Sequence, residues 1–131
     1  MENICLDTDI LIGLLRDKQE AIAFIEANEL ANNLATTYIN LFELYYGVMI
    51  SSSKEQNLAA VEKLSSRLRI LNLSKSSVHE AGRIMAELTK EGNPVDFRDV
   101  FIGTIALTEG FSLKTNNLKH FKKIKNLRII K

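Results

Sequence analysis

With 131 residues, 46% of them hydrophobic and 25% charged, the chain has the composition of one globular domain spanning residues 1–131 rather than two. At this length about two thirds of the unfolded chain's surface is buried on folding, so no metal or disulfide is needed merely to hold the fold. A lone cysteine, Cys5, excludes an internal disulfide, and the formal net charge of +1 conceals an uneven distribution: residues 1–62 carry −7 and residues 63–131 carry +8.

Met1, Glu2 and Asn3 supply no basic segment of the kind that opens a secretory signal, and no window reaches the ~18 to 20 apolar residues of a membrane span. A soluble, cytoplasmic protein without membrane association is therefore expected. Ile4-Cys5-Leu6 reads as a short buried strand ending on a carboxylate, Asp7. Thr8 or Asp9 then caps a helix carrying Ile10, Leu11, Leu14 and Leu15, and a second helix carries Ile22, Phe24 and Ile25. Residues 34–37 read as a second strand. Residues 40–49 read as a helix rich in large apolar side chains, with Glu43 among them.

Leu58, Val61, Leu64 and Leu68 recur at helical spacing, residues 69–73 read as a third strand, and Val78, Ala81, Met85 and Leu88 mark another helix that Gly92 and Pro94 terminate. Residues 96–107 form a helix so apolar that it should be buried on most sides. A fourth strand over 111–115, a short basic helix over 117–124 and a last strand over 127–130 complete the chain. Strands separated by helices imply right-handed crossovers, hence a three-layer α/β/α domain with a mainly parallel central sheet. In such sheets sites form beyond the carboxyl ends of the strands, where Asp7, Glu43 and Asn117 are all expected.

Four acids stand where an acid is locally awkward: Asp7 at a strand end, Glu43 on an apolar helix, and Asp96 and Asp99 at the start of the buried helix. Two unit charges ~4 Å apart repel by roughly 4 kcal/mol at an effective dielectric of 20, so converging carboxylates need a cation or must take up protons. A hard divalent ion suits an all-oxygen site that keeps several waters, and it would polarise a phosphodiester or generate hydroxide for attack. Each acid also has a plainer reading. Asp7 or Asp9 can cap a helix, Glu43 can reach the surface, and Asp96 and Asp99 can serve as first-turn acids, with Arg98 placed to pair with either.

Taken together, the segments Leu6-Asp7-Thr8-Asp9-Ile10-Leu11-Ile12, Asn40-Leu41-Phe42-Glu43-Leu44-Tyr45-Tyr46-Gly47, Asp99-Val100-Phe101-Ile102-Gly103-Thr104-Ile105-Ala106 and Thr115-Asn116-Asn117-Leu118-Lys119-His120-Phe121 resemble the four motifs of PIN-domain ribonucleases, specifically the VapC-like toxins of toxin–antitoxin pairs. The likeness covers nearly the whole chain, in order. It implies an endoribonuclease dependent on Mg²⁺ or Mn²⁺, often a homodimer, held in check by a cognate antitoxin protein. Carried over by position, it implies Asp7 and Asp99 as the principal metal ligands, with Glu43 completing the acidic set and Asp96 as a candidate fourth catalytic carboxylate. Thr8, Thr115, Asn117 and Lys119 are the candidate substrate contacts. Asn117 stands near where many relatives have a further acid, and Asp9 replaces the more usual Asn of the first motif.

The basic C-terminal stretch, with Lys114, Lys119, Lys122, Lys123, Lys125, Arg128 and Lys131 and no acid after Glu109, offers phosphate contacts beside such a pocket. Cys5 and the two histidines lack the partners of a nucleophilic triad, and His120 reads as a capping or packing residue. A haloacid-dehalogenase-like phosphatase shares the Asp7-Thr8-Asp9 start, but Leu11 stands where that family has Thr or Val and no adjacent acidic pair follows. A phospho-receiver domain would want an Asp at the end of the third strand, where Asn72-Leu73-Ser74 stand. A non-catalytic PIN-like module that binds RNA or protein is the remaining alternative, and the presence of all three motif acids argues against it.

Overall fold

The computed structural model describes residues 1–131. Strand β1 (Asn3–Leu6) is followed by α1 (Thr8–Leu15), α2 (Gln19–Asn28), β2 (Asn33–Thr37), α3 (Tyr38–Met49), α4 (Lys54–Ser65), β3 (Arg69–Leu71), α5 (Lys75–Lys90), α6 (Phe97–Glu109), β4 (Ser112–Lys114), α7 (Leu118–Phe121) and β5 (Ile129–Ile130). All five strands are parallel, in the order β3-β2-β1-β4-β5. The expected α/β/α sandwich is therefore present, and its sheet is wholly rather than mainly parallel.

Alternation along β1 explains the three layers. Ile4 and Leu6 face one side with Ile10, Leu11, Leu41, Leu44, Val48 and Val61 of the first four helices, while Cys5 faces the other with Val100, Ile102, Ile105 and Phe121 of the later ones. Both sides of the sheet are covered, as the unbroken apolar runs of its strands require. Cys5 is fully buried, and burial pushes its thiol far above the usual range, so it is a core residue with no nucleophilic character.

Most elements begin where a side chain can satisfy the free N–H groups of a first turn. Thr37 caps α3 and Ser74 caps α5, each in a reciprocal box with the residue three positions on, Asn40 and Ser77. Thr37 starts α3 two residues earlier than the apolar pattern suggested, because the strand end and the helix cap are the same residue. Gly110, with φ of 76°, closes α6 in the left-handed conformation. The last strand is shorter than expected, two residues at the sheet edge.

Strand order decides where a site can form. The chain moves outward from β1 to β2 to β3, then returns to the opposite side of β1 to lay down β4. The direction of winding thus reverses between β1 and β4, and the helices that leave these strands diverge, opening a crevice beyond their carboxyl ends. The backbone N–H of Asp7 donates to the carbonyl of Lys114 at 3.0 Å, so the ladder extends one residue past β1 and holds Asp7 at that crevice.

Candidate active site

Asp7 is the residue around which the site is assembled. It follows β1 and is the N-cap of α1, with its Oδ1 accepting from the backbone N–H of Thr8 at 2.8 Å and from Nδ2 of Asn40 at 3.1 Å. Its other oxygen, Oδ2, accepts from the hydroxyl of Thr115 at 2.7 Å, just past the end of β4. The carboxyl is 6% exposed. Burial pushes its pKa up to about 6; the negative charges of Asp9 and Asp99 add to that, while the hydrogen bonds from Thr115 and Thr8 oppose it.

A second set of contacts ties Glu43 to this centre. Asn40 Nδ2 also donates to Thr8 Oγ1 at 2.9 Å, and that hydroxyl donates to Glu43 Oε1 at 2.6 Å. Asn40 and Glu43 lie one turn apart on α3, so a single helix presents both to the end of β1. Glu43 Oε2 in turn lies 3.7 Å from Arg98 on α6.

Asp99 enters from the first turn of α6, and His120 of α7 meets it with Nδ1 3.0 Å from Oδ2. The approach of α7 depends on Gly103, one turn after Asp99: a Cβ there would come within 2.5 Å of Ile124 Cδ1, 3.3 Å of Leu127 Cδ2 and 3.5 Å of Phe121 Cδ1. Only a side chain that stops at Cα lets the segment after β4 lie so close to α6. A continuous run of contacts then joins the two principal acids. From Asp7 it passes to Thr115, whose Oγ1 accepts from the N–H of Asn117 at 3.0 Å; Asn117 Nδ2 lies 2.9 Å from His120 Nδ1, which reaches Asp99.

A model of the PIN domain matches residues 4–127. The chain belongs to the PIN-domain family. Among relatives of this PIN domain, Ribonuclease VapC2 of Haemophilus influenzae is 35% identical over 123 residues, covering 94% of this chain and 92% of the relative. The tRNA(fMet)-specific endonuclease VapC of Salmonella typhimurium is 36% identical over 129 residues, 98% and 97% of the two chains. Of solved structures, VapBC2 from Rickettsia felis bound to a DNA fragment from their promoter superposes with a TM-score of 0.91 at 32% identity, covering 97% of this chain and 96% of that one. DNA-bound VapBC from Salmonella typhimurium superposes with a TM-score of 0.90 at 34% identity, covering 99% and 98%.

The PIN domain brings most of the sequence-derived candidates to one place, with different duties from those a list of motifs suggests. Asp7, Glu43 and Asp99 meet the same polar network. Thr8 links Asp7 to Glu43, and Thr115, expected as a substrate contact, is buried with its hydroxyl committed to Asp7. Asp96 stands apart as the exposed N-cap of α6, where Arg98 engages both its oxygens at 3.2 and 3.3 Å and holds its carboxyl below the usual range. Asn117 precedes α7 and faces His120, while Lys119 is exposed beside it. Of the basic stretch, Lys125 pairs with Glu91, Arg128 with Glu2, and Lys114 lies over the Phe24 ring.

Two residues of the site went unread in the sequence. Asn40 is wholly buried and joins Asp7, Thr8 and Thr37, yet a lone Asn inside an apolar helix gives no periodic signal. His120 contacts Asp99 across 21 residues, rather than merely capping or packing.

The donors fit a hard divalent ion. They are carboxylate oxygens, Asp9 Oδ1 is buried without a hydrogen-bond partner, and no three His, Cys, Asp or Glu side chains converge tightly enough to form a closed cage. An ion that keeps several waters and takes one or two carboxylates matches that open arrangement; a tetrahedral zinc cage does not. No helix is long and apolar enough to cross a membrane.

Proposed function

We propose that this protein is a divalent-metal-dependent endoribonuclease, the toxin half of a toxin–antitoxin pair. One observation carries the reading: Asp7, Glu43 and Asp99, contributed by α1, α3 and α6 at the strand-reversal point, share one hydrogen-bonded network in a chain 35% identical to a named ribonuclease over nearly its full length. Enzymes of this family generally work with a divalent cation, here Mg²⁺ or Mn²⁺ on Asp7 and Asp99. When bound, the cation supplies Lewis-acid polarisation of the scissile phosphodiester.

The chain's own residues then have separable duties. Thr115 and Asn40 hold the Asp7 carboxylate in one rotamer, each by a hydrogen bond to a different oxygen. Glu43, fixed by Thr8, contributes a further carboxylate that accepts a proton from water or orients it. Asp96 is a positioning residue for Arg98, whose guanidinium lies between Asp96 and Glu43 and is suited to a phosphate oxygen. Lys119, Asn117 and the remaining exposed lysines after β4 supply phosphate contacts on the same side as Thr115, and RNA that is single-stranded or looped enters such a cleft with least distortion.

An antitoxin protein is the expected partner, as in the VapBC complexes the fold matches, and the cytoplasm is the compartment in which both would meet RNA. Homodimer formation is supported by the exposed apolar face of α3, where Tyr38, Phe42, Tyr46, Met49 and Ile50 recur at helical spacing.

The test incubates purified protein with total RNA and Mg²⁺ or Mn²⁺, beside EDTA, Asp7→Asn, Asp99→Asn and Asp96→Asn. Cleavage should vanish with EDTA and fall at least a hundredfold in the Asp7 and Asp99 variants, while Asp96→Asn, which only releases Arg98, should lose less than tenfold. Cleavage indifferent to EDTA and to both principal variants would sink the mechanism.

A further inference from the structure

Resting on the metal-dependent nuclease reading, we propose that His120 is itself a metal ligand, which makes this a mixed oxygen and nitrogen site that prefers a first-row transition ion such as Mn²⁺ over Mg²⁺. The geometry around Nδ1 of His120 carries the assignment. That nitrogen lies 3.0 Å from Asp99 Oδ2 and 2.9 Å from the Asn117 side-chain amide. A ring nitrogen bears either one hydrogen or one lone pair. With a hydrogen it donates to Asp99 and turns an N–H toward the amide N–H of Asn117; with a lone pair it accepts from Asn117 and turns that lone pair toward the carboxylate. Neither state satisfies both neighbours.

A cation at this point satisfies all three. Ligand bonds of about 2.1 Å at right angles place adjacent donors about 3 Å apart, which is the spacing already present between Nδ1 and Oδ2. Rotating the Asn117 amide by half a turn exchanges its nitrogen for its oxygen and adds a carbonyl donor without moving the backbone. As the ion binds, the ring hydrogen shared with Asp99 passes from Nδ1 to Nε2 on the exposed edge of the imidazole, so the ring stays neutral and the carboxylate stays anionic.

Selectivity follows from donor type. Carboxylate, carbonyl and water serve Mg²⁺ and Mn²⁺ alike, whereas an imidazole nitrogen favours transition ions and is a poor ligand for Mg²⁺. The chain contains one other histidine, His79, exposed on α5 and available as an internal control.

The experiment titrates metal-free full-length protein with Mn²⁺ alone, follows free Mn²⁺ by electron paramagnetic resonance, and repeats the titration against competing Mg²⁺. Pulsed resonance on the complex then reads modulation from a directly bound nitrogen. Wild type and His79→Ala should show that modulation and bind Mn²⁺ at least tenfold more tightly than Mg²⁺. His120→Ala should lose the modulation and at least tenfold in Mn²⁺ affinity, with less than a threefold change for Mg²⁺. A wild-type complex with no nitrogen modulation overturns the assignment whether or not the variant folds, and so does a His120→Ala protein that binds Mn²⁺ undiminished. RNA cleavage measured on the same wild-type sample separates the two ideas. Modulation without cleavage supports the ligand and sinks the nuclease reading; cleavage without modulation overturns the ligand and leaves the nuclease.

Discussion

The hydroxyl of Thr115 donates to Oδ2 of Asp7 at 2.7 Å, joining two buried residues that are 108 positions apart in the chain. The contact exists because β1 and β4 are neighbours in register, Leu6 opposite Lys114, so the residues that follow them meet. Thr115→Val keeps the shape and removes the donor. At neutral pH this should destabilise the protein by about 1 to 3 kcal/mol, the cost of leaving a buried charged acceptor short of a partner. RNA cleavage should fall roughly tenfold or more. Thr115→Ser, which restores a hydroxyl, should recover most of both, as read by chemical denaturation and cleavage rate.

Asp7 itself makes the metal-free protein sensitive to pH. Its pKa rises from 3.8 to about 6 on folding, mainly through burial, so the fold favours the protonated acid. The associated stability is fully present below about pH 4 and is lost as pH climbs to about 6, where the buried carboxyl ionises; the loss is about 3 kcal/mol. In EDTA, therefore, stability should decline across that window. Asp7→Asn should flatten the decline and be the more stable protein at pH 7.5. A wild-type profile that rises between pH 4 and 6, with the variant unchanged, would contradict this.

Asn40 uses its amide fully: Nδ2 serves Asp7 and Thr8, and Oδ1 accepts from the N–H and the hydroxyl of Thr37. Asn40→Ala should cost about 3 kcal/mol, because a helix cap and two buried acceptors lose their partner together. Asn40→Asp keeps the Thr37 contacts but sets a new carboxylate against Asp7. It should be still less stable than Asn40→Ala above pH 6, with the order reversing below pH 4, as thermal unfolding at the two pH values would show.

Gly103 sets the distance between α6 and the segment carrying His120. Gly103→Ala pushes on the tip of Ile124, which can yield partly, so a loss of about 1 kcal/mol is expected. Gly103→Val, with two further methyl groups facing Ile124, Leu127 and Phe121, should cost about 3 kcal/mol and move His120 away from Asp99. Comparison of Mn²⁺ affinity in the Ala variant with that of wild type checks the second consequence: affinity should fall even though no candidate ligand is altered.

Much of this was legible along the chain. Alternating apolar runs marked every strand and helix to within a few residues, since burial on both sheet faces imposes continuous apolarity on β1 and β4 and a helical period on α4 and α5. Asp7 and Asp99 stood out because charge interrupts apolar segments there. Asp96 stood out for the same reason, yet its place outside the helix, one residue before α6, gives it to Arg98 instead. Asn40 and His120 gave no such signal: a neutral polar side chain in an apolar helix and a histidine in a basic turn look the same whether or not they have partners.

The net charge of +1, the difference between an acidic first half and a basic second half, was a property of the sequence alone. So were the identities of the acids, the order of the elements and the layering, because local periodicity and the handedness of crossovers suffice for them. What the tertiary structure decided was adjacency. Only the return of the chain to the far side of β1 puts Thr115 against Asp7, and only the bare Cα of Gly103 lets His120 reach Asp99. Contacts separated by 21 and 108 residues depend on how whole elements pack, and packing is settled by the volumes and contours of side chains on several elements at once, which no single segment records.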